Sequence, residues 1–362
     1  MEDLALLPND PPVRLLATDG SFAPDERFPL NLDADQMAEL LHQMIVTRRL
    51  DREFVNLQRQ GQLGVYPSCL GQEAAQVGSA AALDADDWIF PQYRELGCAV
   101  VRGLPAEELG HQWRGTWLST HDAHEHRFAL LSIPIGTHAL HAVGFAMGAK
   151  LAGDPIVVAS YFGDGATSGG DPHEAMNFAA VHRSPALFFV QNNGWAISVP
   201  IHSQTSAPTL AHKAIGYGMP GFRVDGNDVL ATYAVTHGVV DRIRHGEGPA
   251  FIEAISYRMD AHTTSDDPTR YRQDDELERW RARDPIDRLR RYLSEHLGVW
   301  DDQRESAAET AATTAASRLR EALYDAPVGD PAELFDHVFV APTDHIEQLR
   351  AQLHEELDRR EP

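Results

Sequence analysis

YFGDGATSGGDPHEAMNFAAVHRSPALFFVQNNGWAISVP, residues 161–200, reads as strand, tight glycine loop, helix, strand and loop. The apolar run 156–162 (IVVASYF) ends at Gly163, as a strand buried in a parallel sheet would. Gly163 and Gly165 flank Asp164, so the backbone can turn sharply there and lie close to a ligand. Asp171 is expected to cap the next helix and Pro172 to open it, with Ala175, Phe178, Ala179 and Val181 as its apolar face. Residues 186–190 (ALFFV) form the next buried strand, closed by Asn192, Asn193 and Gly194. Strand, helix and strand of this length make one βαβ unit, and such sheets bind ligands at the carboxyl ends of their strands.

Both loops therefore share one edge. The first offers the Asp164 carboxylate, the second side-chain amide oxygens and backbone carbonyls around Asn193. Hard oxygens beside a helix amino end suit a magnesium ion that holds a diphosphate. The ion takes about six oxygens, and about three from the protein leave room for two phosphate oxygens and a water.

GDG at 163–165, then 26 residues, then NN at 192–193 resembles the thiamine diphosphate motif. The flanking sequence resembles the alpha subunit of the decarboxylating component of 2-oxo acid dehydrogenase complexes, of the bacterial branched-chain type. That resemblance implies an α/β thiamine-diphosphate-binding fold: a mostly parallel central sheet flanked by helices, with an N-terminal arm and a C-terminal helical extension. It implies magnesium on Asp164, Asn193 and the backbone oxygen of Trp195, with Gly163, Gly165 and Ala166 against the diphosphate. It pairs Tyr93 and Arg94 with the diphosphate; on its own Arg94 would read as a surface salt bridge. Ile135 matches the aliphatic residue that props the thiamine in its bent form. Ile133 and His138 depart from a loop that holds potassium in the animal enzymes, which puts that ion in doubt. Gln191 stands where those enzymes have an arginine, so Arg94 carries more of that charge.

Around this core, 362 residues suffice for one large α/β domain or two small ones, and 43% hydrophobic with 23% charged residues is ordinary globular composition. A net charge of −23 argues against nucleic acid or an anionic membrane as the main partner. Cys69 and Cys98 make neither a disulfide framework nor a zinc pattern, and no apolar run has membrane-spanning length. With no signal peptide in view, a reducing cytoplasm is the expected compartment.

Residues 1–32 read as an irregular proline-rich arm, wrapped over a neighbour or disordered. Residues 33–275 read as the cofactor domain and 276–362 as a helical extension contacting a partner subunit. Met37, Leu40, Leu41, Met44, Ile45, Leu50, Phe54 and Leu57 predict a long helix from Asp33, stopped at Gly61. The small-residue helix 73–83 is compatible with burial between subunits, and Trp88–Phe90 predicts a strand. The histidine-rich stretch 111–126 allows a metal or, preferably, an exposed loop near the active-site mouth. Residues 201–226 read as a loop with a short helix, 227–244 as a helix and 249–256 as a strand. Phe335, Val338, Phe339 and Val340 resemble the family's segment that docks on the beta subunit.

A strand end followed by the polar loop 257–272 (YRMDAHTTSDDPTRYR) is where catalytic residues gather, and His262 is its one histidine. The resemblance puts that histidine beside the thiazolium ring, with Arg258, Asp266, Asp267, Tyr271 and Arg272 ordering the loop. Thr263, Thr264 and Ser265 occupy a segment that mitochondrial relatives phosphorylate. The implied reaction is oxidative decarboxylation of a branched-chain 2-oxo acid, with acyl transfer to the lipoyl group of an acyltransferase. The glutamate that activates the cofactor is missing here and must come from a beta subunit, in a tetramer of two alpha and two beta chains. Pyruvate is the second substrate reading, acetoin-type substrates trail, and a non-catalytic cofactor-binding subunit is the reading from another class.

Overall fold

Alternation of side chains along short apolar runs builds the centre of the molecule. The computed structural model describes residues 6–115, 121–325, 330–336 and 338–359. Its strands are β1 (Trp88–Phe90), β2 (Val158–Gly163), β3 (Ala186–Asn192), β4 (Trp195–Ala196), β5 (Val199–Pro200), β6 (Gly221–Asp225) and β7 (Ala250–Ile255). β1-β2-β3-β7-β6 is a parallel five-stranded sheet, and β4 with β5 makes a small antiparallel hairpin. Ala159, Tyr161, Leu187 and Phe189 feed the helical layer on one face, while Val158, Phe162, Phe188 and Val190 feed the other. Cover on both faces is why these strands read as unbroken apolar runs.

Register then aligns the strand ends. Gly163 of β2 lies opposite Gln191 of β3, and Asn192 lies opposite Ile255 of β7. The loops after β1, β2, β3 and β7 thus open at one edge.

The long helix forms as its stripe predicts, over Ala34–Arg59. Asp33 Oδ1 accepts from the Gln36 N–H and Gln36 Oε1 from the Asp33 N–H, a reciprocal cap. Gly61, at φ +76°, ends it in a conformation that glycine adopts without steric cost.

Several expectations change. The helix after the glycine loop is Gly170–His182, preceded by a 3-10 turn at Asp164–Ser168. Asp171 lies inside it and accepts from Thr137 Oγ1 at 2.8 Å instead of capping. Its buried stripe is Pro172, Ala175, Met176 and Ala179; Phe178 and Val181 fall outside that 3.6-residue stripe and are 48% and 71% exposed. The small-residue helix Glu73–Ala81 is buried within its own chain: a Cβ on Gly78 would lie 2.6 Å from the Val229 carbonyl. Strand β6, inside the segment expected to be loop and short helix, carries a glycine and an arginine, which mask the apolar alternation of an edge strand.

That edge is covered by the N-terminal arm, which is anchored on its own chain. Val13 N–H donates to the Arg223 carbonyl and Asp225 N–H to the Val13 carbonyl, both at 2.9 Å. Asp228 caps the helix Val229–Arg244 with one carboxylate oxygen and accepts the Leu15 and Leu16 N–H groups with the other. Of the histidine-rich stretch, residues 116–120 lie outside the described residues, as do 327–329 and 337 of the C-terminal docking segment 327–342. His121 is buried against the Phe128 carbonyl and His124 meets the Trp88 ring edge-on. Among the described residues no group of His, Cys, Asp or Glu converges on a metal position there, and no helix is long and apolar enough to cross a membrane.

His138, in the first turn of the helix Thr137–Ala152, yields a prediction. Nε2 bonds the Tyr161 carbonyl at 2.7 Å, Nδ1 is buried without a partner, and burial pulls the ring down to about 4. Between that value and the ordinary 6.5 the unfolded chain binds the extra proton, so stability falls as pH falls through this window. His138→Gln keeps a donor without the titration. Its stability relative to the parent is expected to improve by on the order of 3 kcal/mol between pH 7 and 4, read from denaturant midpoints at each pH.

Candidate active site

At the shared strand edge is a cavity of about 240 Å³. Gln92, Tyr93, Arg94 and Glu95 reach it from β1, and Gly163, Asp164, Gly165 and Ala166 from β2. Gln191 comes from the end of β3, Asn193, Trp195, Ala196 and Ile197 from the stretch that follows it, and His262 from the loop after β7. Every site residue expected from the sequence lines this one cavity, Ile135 included.

Asp164 is 1% exposed, and burial pushes its carboxyl above the usual range. Gln204 Nε2 donates to Oδ2 at 2.6 Å, and no cationic side chain of the described residues is within salt-bridge distance. Asn193 Oδ1 accepts from the Trp195 N–H, and its Nδ2 donates to Gln72 Oε1, both at 3.2 Å. The Trp195 carbonyl accepts from Arg258 Nη1 at 3.1 Å, which uses one of its two lone pairs. A divalent cation fits this set. It would repay the buried charge of Asp164 and take amide and carbonyl oxygens, the hard donors that magnesium prefers.

The anion side fits as well. Gly165 is a cradle: a Cβ there would meet the Ala196 Cβ at 2.7 Å. Gln72 Nε2, on a cavity-lining residue, is a buried donor without a partner. Arg94 is buried and held by neutral acceptors, Nη1 donating to Ser68 O at 2.5 Å and Nη2 to His262 O at 3.0 Å and, more weakly, to His262 Nδ1 at 3.3 Å. No carboxylate forms a salt bridge with it among the described residues, so its charge is free for a phosphate. The turn that lines the cavity is Asp164–Ser168; the helix Gly170–His182 contributes no lining residue.

Ile135 is 49% exposed although aliphatic, and it points into the cavity. Gly136 follows at φ +80°, where a Cβ would strike Pro172 at 2.6 Å. Ile197 holds φ +55°, a strained angle for a β-branched residue, and its carbonyl accepts from Arg258 Nη2.

His262 sits beside Arg94, whose Nη2 is 3.3 Å from Nδ1. A guanidinium only donates, so Nδ1 accepts and the ring carries its proton on Nε2. Burial, then Arg94 and Arg258, pull the imidazole down to about 4. Asp266 fixes the loop, accepting from the His262 N–H and the Tyr271 hydroxyl, while Arg272 donates to the carbonyls of Arg258, Met259 and Asp260. Thr264 is clipped to Tyr66 through both its N–H and its hydroxyl.

Gln204, Gln72, Gln92 and Glu95 are parts that the motif does not reveal. Burial pushes Glu95 up to about 7, and its carboxylate receives the Gln92 and Arg94 N–H groups and Gln191 Nε2. Gln191, in the place where the resemblance puts an arginine, thus bridges Glu95 and Gln76. A glutamate directly after Arg94 was the available signal for Glu95; Gln204, 40 residues from Asp164, has none.

The family model described as dehydrogenase E1 component matches residues 41–327. 3-Methyl-2-oxobutanoate dehydrogenase subunit alpha of Mycobacterium tuberculosis is 51% identical over 348 residues, 96% of this chain and 95% of that one. The pyruvate dehydrogenase E1 component subunit alpha of Staphylococcus aureus is 40% identical over 295 residues, 81% of this chain and 79% of that one. Its Staphylococcus epidermidis counterpart is 40% identical over 312 residues, 86% of this chain and 84% of that one.

Proposed function

The chain belongs to the dehydrogenase E1 component family, and from that premise we propose that it is the alpha subunit of a branched-chain 2-oxo acid dehydrogenase. Its substrates would be acids such as 3-methyl-2-oxobutanoate, the acid in the name of the 51% identical relative. Pyruvate, in the names of relatives at 40%, is the second reading. The observation that carries the proposal is Asp164, a buried carboxylate that lines one cavity with Asn193 and Trp195 and has no cationic side chain of the described residues at salt-bridge distance.

Asp164, Asn193 and the Trp195 carbonyl would hold magnesium, and Arg94 with the Gly165–Ala166 backbone would hold the diphosphate. When bound, thiamine diphosphate supplies the electron sink that a 2-oxo acid needs to lose carbon dioxide. Tyr93 would stand with Arg94 at the diphosphate, and Ile135 would prop the rings of the cofactor. His262, neutral with its proton on Nε2, would hold or donate that proton to an oxyanion or to a lipoyl sulfur.

We further propose a beta subunit as partner, two of each chain, serving a lipoyl-bearing acyltransferase. Leu151, 87% exposed, with Phe178 and Val181 leaves large apolar side chains uncovered on two neighbouring helices, and Val338, Phe339 and Val340 do the same near the C-terminus. The test is carbon dioxide release by the chain alone and with its beta subunit, across several 2-oxo acids. We expect no turnover alone, and with beta a kcat/KM for 3-methyl-2-oxobutanoate at least about tenfold above that for pyruvate, the reach of a few methylenes in an apolar pocket. Turnover by the isolated chain, or a preference for pyruvate, would overturn the corresponding part.

A further inference from the structure

Arg94 does not hold itself in place. Its Nη1 hangs on the Ser68 carbonyl at 2.5 Å, and Ser68 lies in a stretch without helix or strand, between Gly61 and the helix Glu73–Ala81. What fixes that stretch is a carboxylate on the first long helix. Asp51, 1% exposed, accepts Ser68 Oγ–H at 2.6 Å on one oxygen, and the Cys69 N–H at 2.8 Å and the Tyr66 hydroxyl at 2.9 Å on the other. Burial pushes it up to about 6; the three donors are what keep it charged at neutral pH.

The same stretch carries the loop of His262. Tyr66 and Thr264 exchange two hydrogen bonds, 2.9 and 3.1 Å, and the Met259 N–H donates to the Leu70 carbonyl at 3.1 Å. Ser68 Oγ lies 3.0 Å from Asp260 Oδ2. Gly71 passes so close that a Cβ would be 2.5 Å from the Tyr257 carbonyl. Arg94 Nη2 then closes the circuit on the His262 carbonyl.

We propose that Asp51 is a positioning residue for the active site: through the 66–69 turn it sets the Ser68 carbonyl that aims Arg94, and the platform on which the His262 loop rests. Asp51 does not line the cavity. Its effect is transmitted through Arg94, so the inference rests on the reading of Arg94 as a diphosphate ligand.

A double-mutant cycle tests it in the alpha–beta enzyme, with thiamine diphosphate affinity in magnesium as readout and thermal midpoint beside it. Asp51→Asn puts an amide donor where an acceptor stood and keeps the volume. Arg94→Ala and Asp51→Asn are each expected to weaken cofactor binding by about ten- to a hundredfold. The double variant is expected to be no worse than the weaker-binding single, because both act through one contact. Ser68→Ala, which keeps the carbonyl, should show a smaller loss in the same direction and covers the case where Asp51→Asn fails to fold. Full additivity, or intact affinity in Asp51→Asn and Ser68→Ala while Arg94→Ala has lost it, overturns the positioning role. Intact affinity in Arg94→Ala overturns the diphosphate reading and the inference with it.

Discussion

Asp164→Ala is expected to lose the cofactor and keep the fold. Of the groups proposed for the metal only Asp164 is anionic; the others are neutral amide and carbonyl oxygens. Removing one partner of a buried charge pair costs about 3–5 kcal/mol, which is roughly two to three and a half orders of magnitude in affinity. Thiamine diphosphate titrated in magnesium should show that loss, and activity should fall with it. The apo chain should respond in the opposite sense. Burial raises the Asp164 carboxyl, so the folded chain binds a proton more readily than the unfolded one, and the ionised group costs stability above its ordinary pKa. Gln204 retains the Val199 carbonyl as a second acceptor when Asp164 is gone. The thermal midpoint of the apo variant should therefore equal or exceed the parent's at neutral pH, the trade expected of a site built for a ligand. A variant that unfolds, or that binds as the parent does, would contradict this.

His262→Ala is expected to lower kcat by about 10²–10⁴, the usual worth of a positioned proton donor or acceptor, and to spare cofactor affinity. The reason is geometric. Arg94 donates at 3.0 Å to the backbone oxygen of His262, and Asp266 accepts from its backbone N–H, so alanine keeps both anchors. The pH profile adds a signature. With the imidazole pulled down to about 4, it stays neutral through the working range, and its protonation should appear as an acid limb near that value. Parent and variant should run parallel from pH 6 to pH 8, about the span in which an unperturbed histidine titrates. Equal losses in kcat and cofactor affinity would mark the residue as structural.

Much of the centre of this fold is legible in the sequence, because strands buried on both faces must be apolar throughout. β2, β3 and β7 announce themselves in this way, and register alone then brings Asp164 and Asn193 to one edge. β6 is silent, because an edge strand can carry Arg223 and Gly221 once the arm covers it. Phe178 and Val181 mislead because apolar composition marks a surface that avoids water, and a partner chain can supply that cover as well as a core can. The residues proposed for the metal and the diphosphate follow from a spaced motif. The groups that orient them do not. Gln204 reaches Asp164 from 40 residues away and Asp51 reaches Ser68 from 17, and such pairings exist only after folding.

The central claim is that Asp164 and Asn193 grip a metal that holds a diphosphate. Anomalous diffraction from crystals of the alpha–beta enzyme grown with manganese and thiamine diphosphate tests it most directly. We predict one strong manganese peak bonded to the Asp164 carboxylate and the Asn193 amide oxygen, with the Trp195 carbonyl completing the protein's share. Ordered cofactor in the cavity with no manganese between those two side chains, or manganese bound elsewhere on the chain, would contradict it.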